Sequence, residues 1–455
     1  MKIRKLHLKN IGPFDDAELE FLPGPAGLAE IHIFTGQNGS GKTTLLTMLS
    51  GVFCNLVSET QSEFGSLKKR FRFFEYDGSE DFIFNQEDCF KSQAKIYLNE
   101  NDKVKIVANP TWWNSIINEV TSSQVIKDYR PLTTMSGIPD VALSFAAFAF
   151  SGYRQIQSER VEAIYEPKGF NPLAQSLDFV KDYSRQANQI SINQLIANNI
   201  SKRALSKEDG EAKEAERYAT VLAKIEKAIF DITGEEIRFK LKRSPIDLVV
   251  SLNGIELEFD VLPDGLRSLI SWIADLLGRV DLLKWNNDLP ITDKKLILLL
   301  DEIEVHLHPA WQRKVLPVVQ KLFKNAQIFV STHSPFVVNS VDDAWVYDLE
   351  IGEKGKAHFA QRTKSSTSQS IETVLRKIFD VDEKFGLATQ DKLEDFYRQK
   401  DAILRKEKVN RAAFLKLAEE LALKGAENGD SLLRSMILSE LRQLNRITGS
   451  NEFEI

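Results

Sequence analysis

The chain opens with two short segments in which apolar and polar residues alternate, on either side of Gly12-Pro13. Alternation with a period of two is typical of a strand with one buried face, and a Gly-Pro pair favours a turn. The pattern predicts an early β-hairpin or strand pair, followed by a strand over residues 30–36. The alternating apolar positions are Ile3, Leu6, Leu8, Ala17, Leu19 and Phe21.

Helical periodicity replaces this alternation from about residue 185 to residue 233. Val221, Ile225 and Ile229 recur at i, i+4 and i+8, which places them on one face of a helix. Gly234 follows at the position of a C-terminal cap. This segment is predicted to be a helical arm.

A second alternating pattern, residues 247–259, turns at Asn253-Gly254, a pair that favours the positive φ angles of a tight hairpin. An apolar helix is predicted to start near Gly265. The later segments "KKLILLLDE" and "AQIFVSTHSP" are continuously apolar before their polar ends. Such runs suit strands that are covered on both faces, as in a parallel α/β sheet.

The character of the chain changes after Leu349. Residues 350–370 are polar and rich in Gly, Ser, Thr and Lys, which predicts a linker or an exposed hairpin. The remainder is predicted to be helical, with two apolar stripes that either form a surface for assembly or partner binding or pack on the rest of the chain. The stripes are Phe414, Leu417 and Leu421, and Leu433, Ile437, Leu441 and Leu444.

Composition narrows the class of protein. With 455 residues, 43% hydrophobic and 27% charged, the chain is expected to be a soluble protein of two or three domains. It begins without an apolar signal segment, and its longest apolar runs are too short to cross a bilayer, so a cytoplasmic protein without membrane contact is expected. Cys54 and Cys89 cannot form a disulfide framework. The net charge of −6 excludes a protein-wide basic field for nucleic acid.

Residues 36–43, "GQNGSGKT", match the complete pattern GxxxxGK[ST] between a predicted strand and a predicted helix. The glycines let backbone N–H groups close around β- and γ-phosphates, and the helix N-terminus adds its positive dipole end. Lys42 supplies a charge to the phosphates, and Thr43 supplies a hydroxyl ligand to Mg²⁺. The predicted cofactors are ATP and Mg²⁺, and the predicted binding residues are Gly36, Asn38, Gly39, Ser40, Gly41, Lys42, Thr43 and Thr44.

Two polar strand ends supply the predicted chemistry. Asp301 ends the run "LILLLD", where it can hold Mg²⁺, and Glu302 can polarise the attacking water. His333 ends the next apolar strand, where an imidazole can donate a hydrogen bond to a γ-phosphate, although a single His at a strand end is usually a surface residue. Glu302 and His333 are therefore the predicted catalytic residues.

Four segments, "KLHLKNIGPF", "GQNGSGKTTL", "LLLDEIEVHLHPAWQR" and "STHSPFVV", occur in this order and resemble ABC-type ATPases of the SMC/RecF-like class. More specifically, they resemble the bacterial AAA-type ATPases of DNA repair and anti-phage systems. The resemblance implies an α/β fold, an ATPase head with an antiparallel N-terminal β-subdomain and a parallel-sheet P-loop core, plus a helical arm and a C-terminal helical region. It also implies that a D-loop follows Glu302 and that His333 is the switch histidine.

The same resemblance suggests four domains along the chain. Residues 1–184 would be the N-terminal lobe with the phosphate loop, and residues 185–236 the helical arm. Residues 237–349 would be the C-terminal lobe, which carries Asp301, Glu302 and His333. Residues 350–455 would be a linker and a helical region for assembly or partner binding.

Heads of this family close in pairs, and each ATP lies between the phosphate loop of one head and a signature helix of the other. "LPDGLR" lies where the signature belongs, which implies that Asp264, Gly265 and Arg267 contact the nucleotide. The family usually has Ser where this chain has Pro263, which lacks a hydroxyl and an N–H, so weaker γ-phosphate recognition is expected. Asp264 would be repelled by phosphate and is expected to cap its own helix. A purely structural helix start is the alternative.

Gln155, which follows a strand end, is the expected Q-loop ligand to Mg²⁺, and Gln86 is its rival; an ordinary strand end is the alternative. His306 and His308 lie close to acidic residues and could suggest a zinc site. The D-loop explains this segment better, and zinc is not expected there.

The function implied by the resemblance is an ATPase that dimerises head to head around ATP and regulates a nuclease supplied in trans, in bacterial anti-phage defence. The resemblance is closest to the ATPase component of Septu-type systems, whose partner is an HNH nuclease. A homo-oligomer, contact with DNA through the complex and slow, mainly regulatory turnover are expected. No Toprim-type segment follows His333, so no nuclease site is expected in this chain. The alternatives are a RecF-like repair ATPase acting directly on DNA and, less favoured, a transporter ATPase.

Overall fold

A computed structural model describes residues 1–53, 74–76, 82–84, 93–98, 102–108, 116–120, 123–152, 160–161, 163–166, 169–173, 191–352, 355–379, 385–427, 431–449 and 452–453. The strands are β1 Ile3–Ile11, β2 Phe14–Glu20, β3 Glu30–Gly36, β4 Phe74–Tyr76, β5 Phe82–Phe84, β6 Gln93–Leu98, β7 Asp102–Ala108, β8 Ile116–Val120, β9 Ala146–Phe150, β10 Ile237–Arg243, β11 Ile246–Leu252, β12 Ile255–Glu258, β13 Leu296–Leu300, β14 Gln327–Ser331, β15 Trp345–Ile351 and β16 Ala357–Lys364. The helices are α1 Lys42–Ser50, α2 Gln124–Thr134, α3 Ile192–Glu208, α4 Ala212–Thr233, α5 Asp264–Leu282, α6 Pro309–Leu322, α7 Pro335–Val338, α8 Ile371–Ile378, α9 Leu387–Leu404, α10 Arg411–Glu427 and α11 Ser431–Thr448.

A six-stranded sheet in the order β16-β15-β3-β14-β13-β9 forms the centre of the chain's main compact unit. All neighbours are parallel except β16, which runs antiparallel to β15 at one edge. Every residue of β13 and β14 is buried, as the continuous apolar runs predict for strands covered on both faces. Helix α1 packs against β3, β13 and β14, and α5 packs against β9. This is the parallel P-loop core expected from the sequence.

An antiparallel sheet in the order β2-β1-β6-β7-β8 forms the second layer. The predicted N-terminal strand pair is confirmed, since β1 and β2 pair from Lys5 with Glu20 to Ile11 with Phe14. The alternating apolar side chains all turn to the core, with exposed fractions of 7% or less. Each fully buried large aliphatic side chain contributes about 1.5–3 kcal/mol to stability. The α/β class and its antiparallel N-terminal subdomain are therefore confirmed.

The predicted helical face is also confirmed. Val221, Ile225 and Ile229 of α4 are 2%, 2% and 0% exposed, and Gly234 ends the helix with φ +82. Helix α4 pairs with α3 and packs on α5 and α6. These helices thus contribute to the core.

Three strands, β10-β11-β12, form a small antiparallel sheet between α4 and α5 in the chain. Asn253 and Gly254 have φ angles of 49° and 88°, as the predicted tight turn requires. The two strands joined by this turn differ in burial: Leu248 and Val250 of β11 are buried, whereas Ile255 of β12 is 65% exposed. The sheet leads directly into the start of α5.

Compactness divides the chain into two units, Met1–Phe379 and Asp380–Ile455. The polar stretch after Leu349 contains the turn of the β15–β16 hairpin, so the hairpin expected there is present. Residues 350–379 therefore belong to the first unit, although the sequence grouped them with the C-terminal helices. Strand β16 holds these residues in the first unit. Its backbone pairs with β15, and its Ala357 N–H donates to the carbonyl of Pro13 at 2.9 Å.

The second unit contains α9, α10 and α11. Its own hydrophobic core includes Phe396, Phe414, Leu421, Ile437 and Leu444, each 0% exposed. The two predicted apolar stripes therefore pack against each other within the unit. Because the core of this unit buries these side chains, the stripes give no reason to infer a docking surface.

No described helix combines the length and the hydropathy that a membrane crossing requires.

Candidate active site

Parallel strands end together at one edge of the six-stranded sheet, and the predicted site residues follow these ends. Residues 36–43 follow β3, Asp301 and Glu302 follow β13, and His333 comes shortly after β14. The Asp301 N–H donates to the carbonyl of Phe150, the last residue of β9, at 2.9 Å. The crevice beyond the carboxyl ends of such strands is where open α/β sheets bind ligands.

Close packing requires glycine in the phosphate loop. Gly36 has φ +132, and a Cβ there would overlap the carbonyl oxygen of Leu349. Gly41 has φ +98, and a Cβ would lie 2.6 Å from the ring of Phe14. Residues with a side chain rarely adopt such φ angles. Gly41 is also the N-cap of α1 and has no side chain, so it leaves the first N–H groups of α1 without a side-chain cap.

The Lys42 ammonium is folded into its own loop. Its Nζ donates to the carbonyls of Gly36 at 2.8 Å and Gln37 at 2.9 Å. Burial lowers the pKa of Lys42, and the nearby carboxylates of Asp301 and Glu302 act in the opposite direction. Phosphate oxygens would be stronger acceptors than these carbonyls because they carry charge.

The other loop residues divide by burial. Asn38 and Gly39 are exposed at the tip of the loop, whereas Ser40 and Thr44 are buried. The Ser40 hydroxyl makes no hydrogen bond with the described part of the chain.

Thr43 and Asp301, the two predicted Mg²⁺ ligands within the described chain, lie side by side. Thr43 Oγ1 donates to Asp301 Oδ2 at 3.0 Å, and Asp301 is 5% exposed. Ser331, at the end of β14, donates its hydroxyl to the other Asp301 oxygen and accepts the N–H of Glu302 at 2.8 Å. Oxygen ligands converging in this way suit a hard divalent cation. The sequence did not single out Ser331, although its place as the last residue of a strand beside β13 was available.

Glu302 lies in the left-handed region with φ +47 and is half-buried. Gly152, just after β9, provides its space, since a Cβ at Gly152 would lie 2.9 Å from both Cβ and Oε2 of Glu302. The predicted catalytic carboxylate is therefore confined by its neighbour in the sheet. Gln155 and Gln86 lie outside the described residues, so the Q-loop remains an expectation.

His333 is half-buried at the same edge. Burial lowers its pKa, as does the Lys42 cation, and Asp301 acts in the opposite direction. The neutral imidazole is therefore favoured at neutral pH, and it carries one N–H donor.

Glu304, His306 and His308 follow Glu302 in the chain, and each makes different contacts. Glu304 accepts hydrogen bonds from the segment that carries His333. His308 Nδ1 accepts the N–H of Ala310 and caps α6, whereas His306 is exposed. Among the described residues, no group of three or more His, Cys, Asp or Glu side chains could hold a metal ion. Sequence patterns did not reveal the contact of Glu304, which joins distant parts of the chain.

The predicted signature segment forms the first turn of α5. The expectation that Asp264 caps the helix is wrong, because the N-cap is Pro263 and no side chain caps the helix. The Asp264 carboxylate pairs instead with the Arg267 guanidinium, which holds the pKa of Asp264 below its usual range. Gly265 is buried against its own chain, and a Cβ there would lie 2.5 Å from the carbonyl oxygen of His306.

The chain matches a known protein family and is similar to individual proteins. The family described as "AAA domain, putative AbiEii toxin, Type IV TA system" matches residues 31–339. The chain is 24% identical over 391 residues to the Septu protein PtuA of Bacillus thuringiensis, covering 84% of this chain and 85% of that protein. It is 36% identical over 157 residues to the "Retron Ec83 probable ATPase" of Escherichia coli, covering 34% of this chain but only 28% of that relative.

Among solved structures, the SMC head domain from Thermotoga maritima is similar at 15% identity with a TM-score of 0.40, covering 80% of this chain and all of that chain. The family match spans more than half of the chain and includes the phosphate loop, Asp301, Glu302 and His333. The chain therefore belongs to this family of AAA-type ATPase domains.

Proposed function

We propose that this chain binds and hydrolyses ATP as the ATPase subunit of an anti-phage system, works as a head-to-head oligomer and regulates a nuclease supplied in trans. The observation that carries the ATPase function is the sheet edge, where Lys42, the Thr43–Asp301 pair and Glu302 occur together. The defence role is supported by the Septu relative, of which the chain covers 85%.

Binding would begin at the phosphate loop. Lys42 would exchange the carbonyls of Gly36 and Gln37 for β- and γ-phosphate oxygens, which gives a charge-assisted contact. The uncapped first N–H groups of α1 would add donors at the positive end of the helix dipole.

Thr43 and Asp301 fit a Mg²⁺ site, since their oxygens already lie within 3.0 Å of each other. This ion usually takes one or two protein ligands and completes its coordination with phosphates and waters. When bound, it would neutralise charge on the β- and γ-phosphates. Ser331 would hold the Asp301 carboxylate in place through its hydroxyl.

Glu302 is the group proposed to orient and polarise the attacking water. Its N–H is held by Ser331, and its side chain is confined by Gly152. His333, favoured as the neutral imidazole, would donate its N–H to a γ-phosphate oxygen. These groups stabilise developing charge in a site whose geometry is set before the reaction.

The first turn of α5 is proposed to complete the site of a second copy. Its N-cap residue, Pro263, gives no side-chain cap, so its first N–H groups would be offered to the phosphate of the other copy. Arg267 would have to exchange its contact with Asp264 for a phosphate. Pro263 adds no donor, which is consistent with slow, regulatory turnover.

A nuclease partner, of the HNH type, is proposed from the Septu likeness alone. The apolar stripes of α10 and α11 do not support a docking surface, because they form the core of their own unit. DNA would be contacted through the complex.

Phosphate release by the purified full chain tests the ATPase proposal. Wild type is expected to release phosphate only when Mg²⁺ is present, and Lys42→Ala is expected to weaken ATP binding about 100-fold because it removes a buried charged contact. Absence of turnover at all protein concentrations, with and without the proposed nuclease partner, would contradict it.

Phage plating tests the partner separately. Protection is expected to require both this chain with an intact Lys42 and a separate nuclease subunit of the proposed HNH type. Full protection by the nuclease alone would contradict regulation in trans while leaving the ATPase proposal intact.

A further inference from the structure

Glu304 is a third carboxylate near the sheet edge, and the proposed hydrolysis does not use it. Its Oε1 accepts the backbone N–H of His333 at 2.6 Å, and its Oε2 accepts the Thr332 hydroxyl at 2.8 Å. Thr332 is 0% exposed. Both carboxylate oxygens are therefore bound to the segment that carries the predicted switch histidine.

The rest of this segment is anchored on both sides of His333. The Thr332 N–H donates to β3 at 3.1 Å, and Ser334 caps α7 and donates its hydroxyl to Gln312 at 2.5 Å. The imidazole of His333 itself makes no hydrogen bond with the described residues. The orientation of the imidazole ring therefore depends on the backbone of His333. Glu304 accepts the backbone N–H of this residue.

Glu304 is itself fixed to the loop that carries Glu302. Ile303 between them is 0% exposed in the core. The N–H of Val305 donates to the Glu302 carbonyl at 3.1 Å, and the N–H of Leu307 donates to the Glu304 carbonyl at 2.9 Å. Ser331 already links the Glu302 N–H to the end of β14, and Glu304 adds a contact to the His333 peptide itself. A displacement of the Glu302 loop would therefore be passed to the His333 peptide through the Glu304 side chain as well.

We propose that Glu304 is a positioning residue whose carboxyl group ties the His333 peptide to the Glu302 loop, so that imidazole and catalytic carboxylate keep a fixed relation during hydrolysis. The inference rests on the proposed ATPase function and adds a residue that acts through His333. Misplacement of a reacting group by about 1 Å can cost about 100-fold in rate.

The negative charge is not what this role requires. Burial raises the pKa of the Glu304 carboxyl, against the hydrogen bonds from His333 and Thr332. A Gln side chain has the same shape, and it offers a carbonyl oxygen to the His333 N–H and an amide N–H to the Thr332 hydroxyl. Glu304→Gln is therefore expected to retain the tie, whereas Glu304→Ala removes it.

Steady-state ATP turnover of the full chain separates positioning from direct catalysis. Glu304→Ala is expected to lower kcat about 10- to 100-fold with ATP affinity within about twofold, and Glu304→Gln to stay within about threefold of wild type. In a His333→Ala background, Glu304→Ala is expected to cause no further loss, because both changes remove the same function.

Hydrogen exchange of the peptide containing Thr332 to Ser334 provides a readout that does not depend on turnover. Glu304→Ala is expected to speed exchange of the His333 amide about tenfold or more, and Glu304→Gln to leave it close to wild type. Thr332→Val removes one of the two hydrogen bonds of Glu304 and also the acceptor of the Ser334 N–H. The His333 N–H keeps its acceptor, so this variant should give an intermediate result in both assays. It also replaces Glu304→Ala if that variant does not fold.

Glu226→Ala is the matched control. Glu226 also accepts a backbone N–H, that of Phe239 at 3.1 Å, and pairs with Arg238; within the described residues, neither partner belongs to the site. Its loss should affect stability and leave kcat within about twofold.

Three outcomes would overturn the inference while leaving the ATPase function intact: Glu304→Gln as inactive as Glu304→Ala, a full additional loss in the His333→Ala background, or unchanged exchange at His333 in Glu304→Ala. A wild-type chain without turnover would overturn the proposed function, and the inference with it.

Discussion

The phosphate-loop edge and the first turn of α5 carry the two halves of the proposed chemistry, and they are built differently. At the edge, side chains from separate strand ends face each other, as with Thr43 and Asp301 at 3.0 Å. At the turn, the contacts are local: Asp264 pairs with Arg267, and Gly265 packs on the backbone of His306. The edge brings its proposed phosphate and Mg²⁺ contacts together within one chain, whereas the turn would have to exchange local contacts before it could bind a ligand.

Glycine has a different task in each region. In the phosphate loop it permits a left-handed backbone close to Phe14, and beside the sheet it leaves space for Glu302. In α5 it permits close approach of the helix to its own chain. Substitution by Ala at each place should therefore affect a different observable.

Gly41→Ala should have the largest effect. With φ +98 and a Cβ only 2.6 Å from the Phe14 ring, the loop must move. ATP affinity should fall at least about 100-fold, and the free energy of unfolding should fall by about 1–3 kcal/mol. Calorimetric titration with a slowly hydrolysed ATP analogue and thermal unfolding measure both.

Gly39→Ala isolates the effect of the backbone angle within the same loop, since Gly39 has φ +85 but nothing among the described residues lies within 4 Å of the added Cβ. It should lose only about 1 kcal/mol of stability. Equal loss of affinity in the two variants would show that steric contact with Phe14 is irrelevant.

Gly152→Ala should affect catalysis alone. The new Cβ would lie 2.9 Å from the Cβ and Oε2 of Glu302 and displace its carboxylate. Turnover should fall about 10- to 100-fold, with ATP affinity within about twofold. A parallel loss of affinity would place Gly152 in nucleotide binding instead.

Gly265→Ala should affect stability before affinity. Its Cβ would lie 2.5 Å from the His306 carbonyl oxygen, and overpacking of this kind costs about 1–3 kcal/mol. Binding of ATP to the dilute chain should be unchanged. An unchanged melting temperature would contradict the close packing of α5 on this loop.

Pro263→Ser should have the smallest effect, and in the opposite direction. A serine hydroxyl at the N-cap would add a donor and acceptor at the start of α5. ATP-dependent association or turnover should rise about two- to threefold, measured by light scattering and phosphate release. No change in either would favour a purely structural role for this turn.

Local patterns predicted the parts of the fold that depend on neighbours in sequence. Alternation identified the β1–β2 pair, Asn253-Gly254 identified a hairpin, and helical spacing identified the buried face of α4. In each case, periodicity or turn chemistry agrees with the tertiary structure. The phosphate loop belongs to the same group because its pattern is contiguous.

Contacts between distant segments could not be predicted in this way. Ser331 and Glu304 are ordinary polar residues until the sheet brings β14 beside β13. Asp264 is a good capping residue by type, but the nearby Arg267 takes its carboxylate. An apolar stripe likewise does not identify its partner, and those of α10 and α11 pack on each other.

Glu302→Gln tests the central claim most directly, that the sheet edge is an ATPase site. The substitution keeps the shape of the side chain and removes its ability to polarise water. Turnover by the full chain should fall at least about 100-fold, with ATP affinity within about twofold of wild type. Unchanged turnover at saturating ATP and Mg²⁺ would contradict the account.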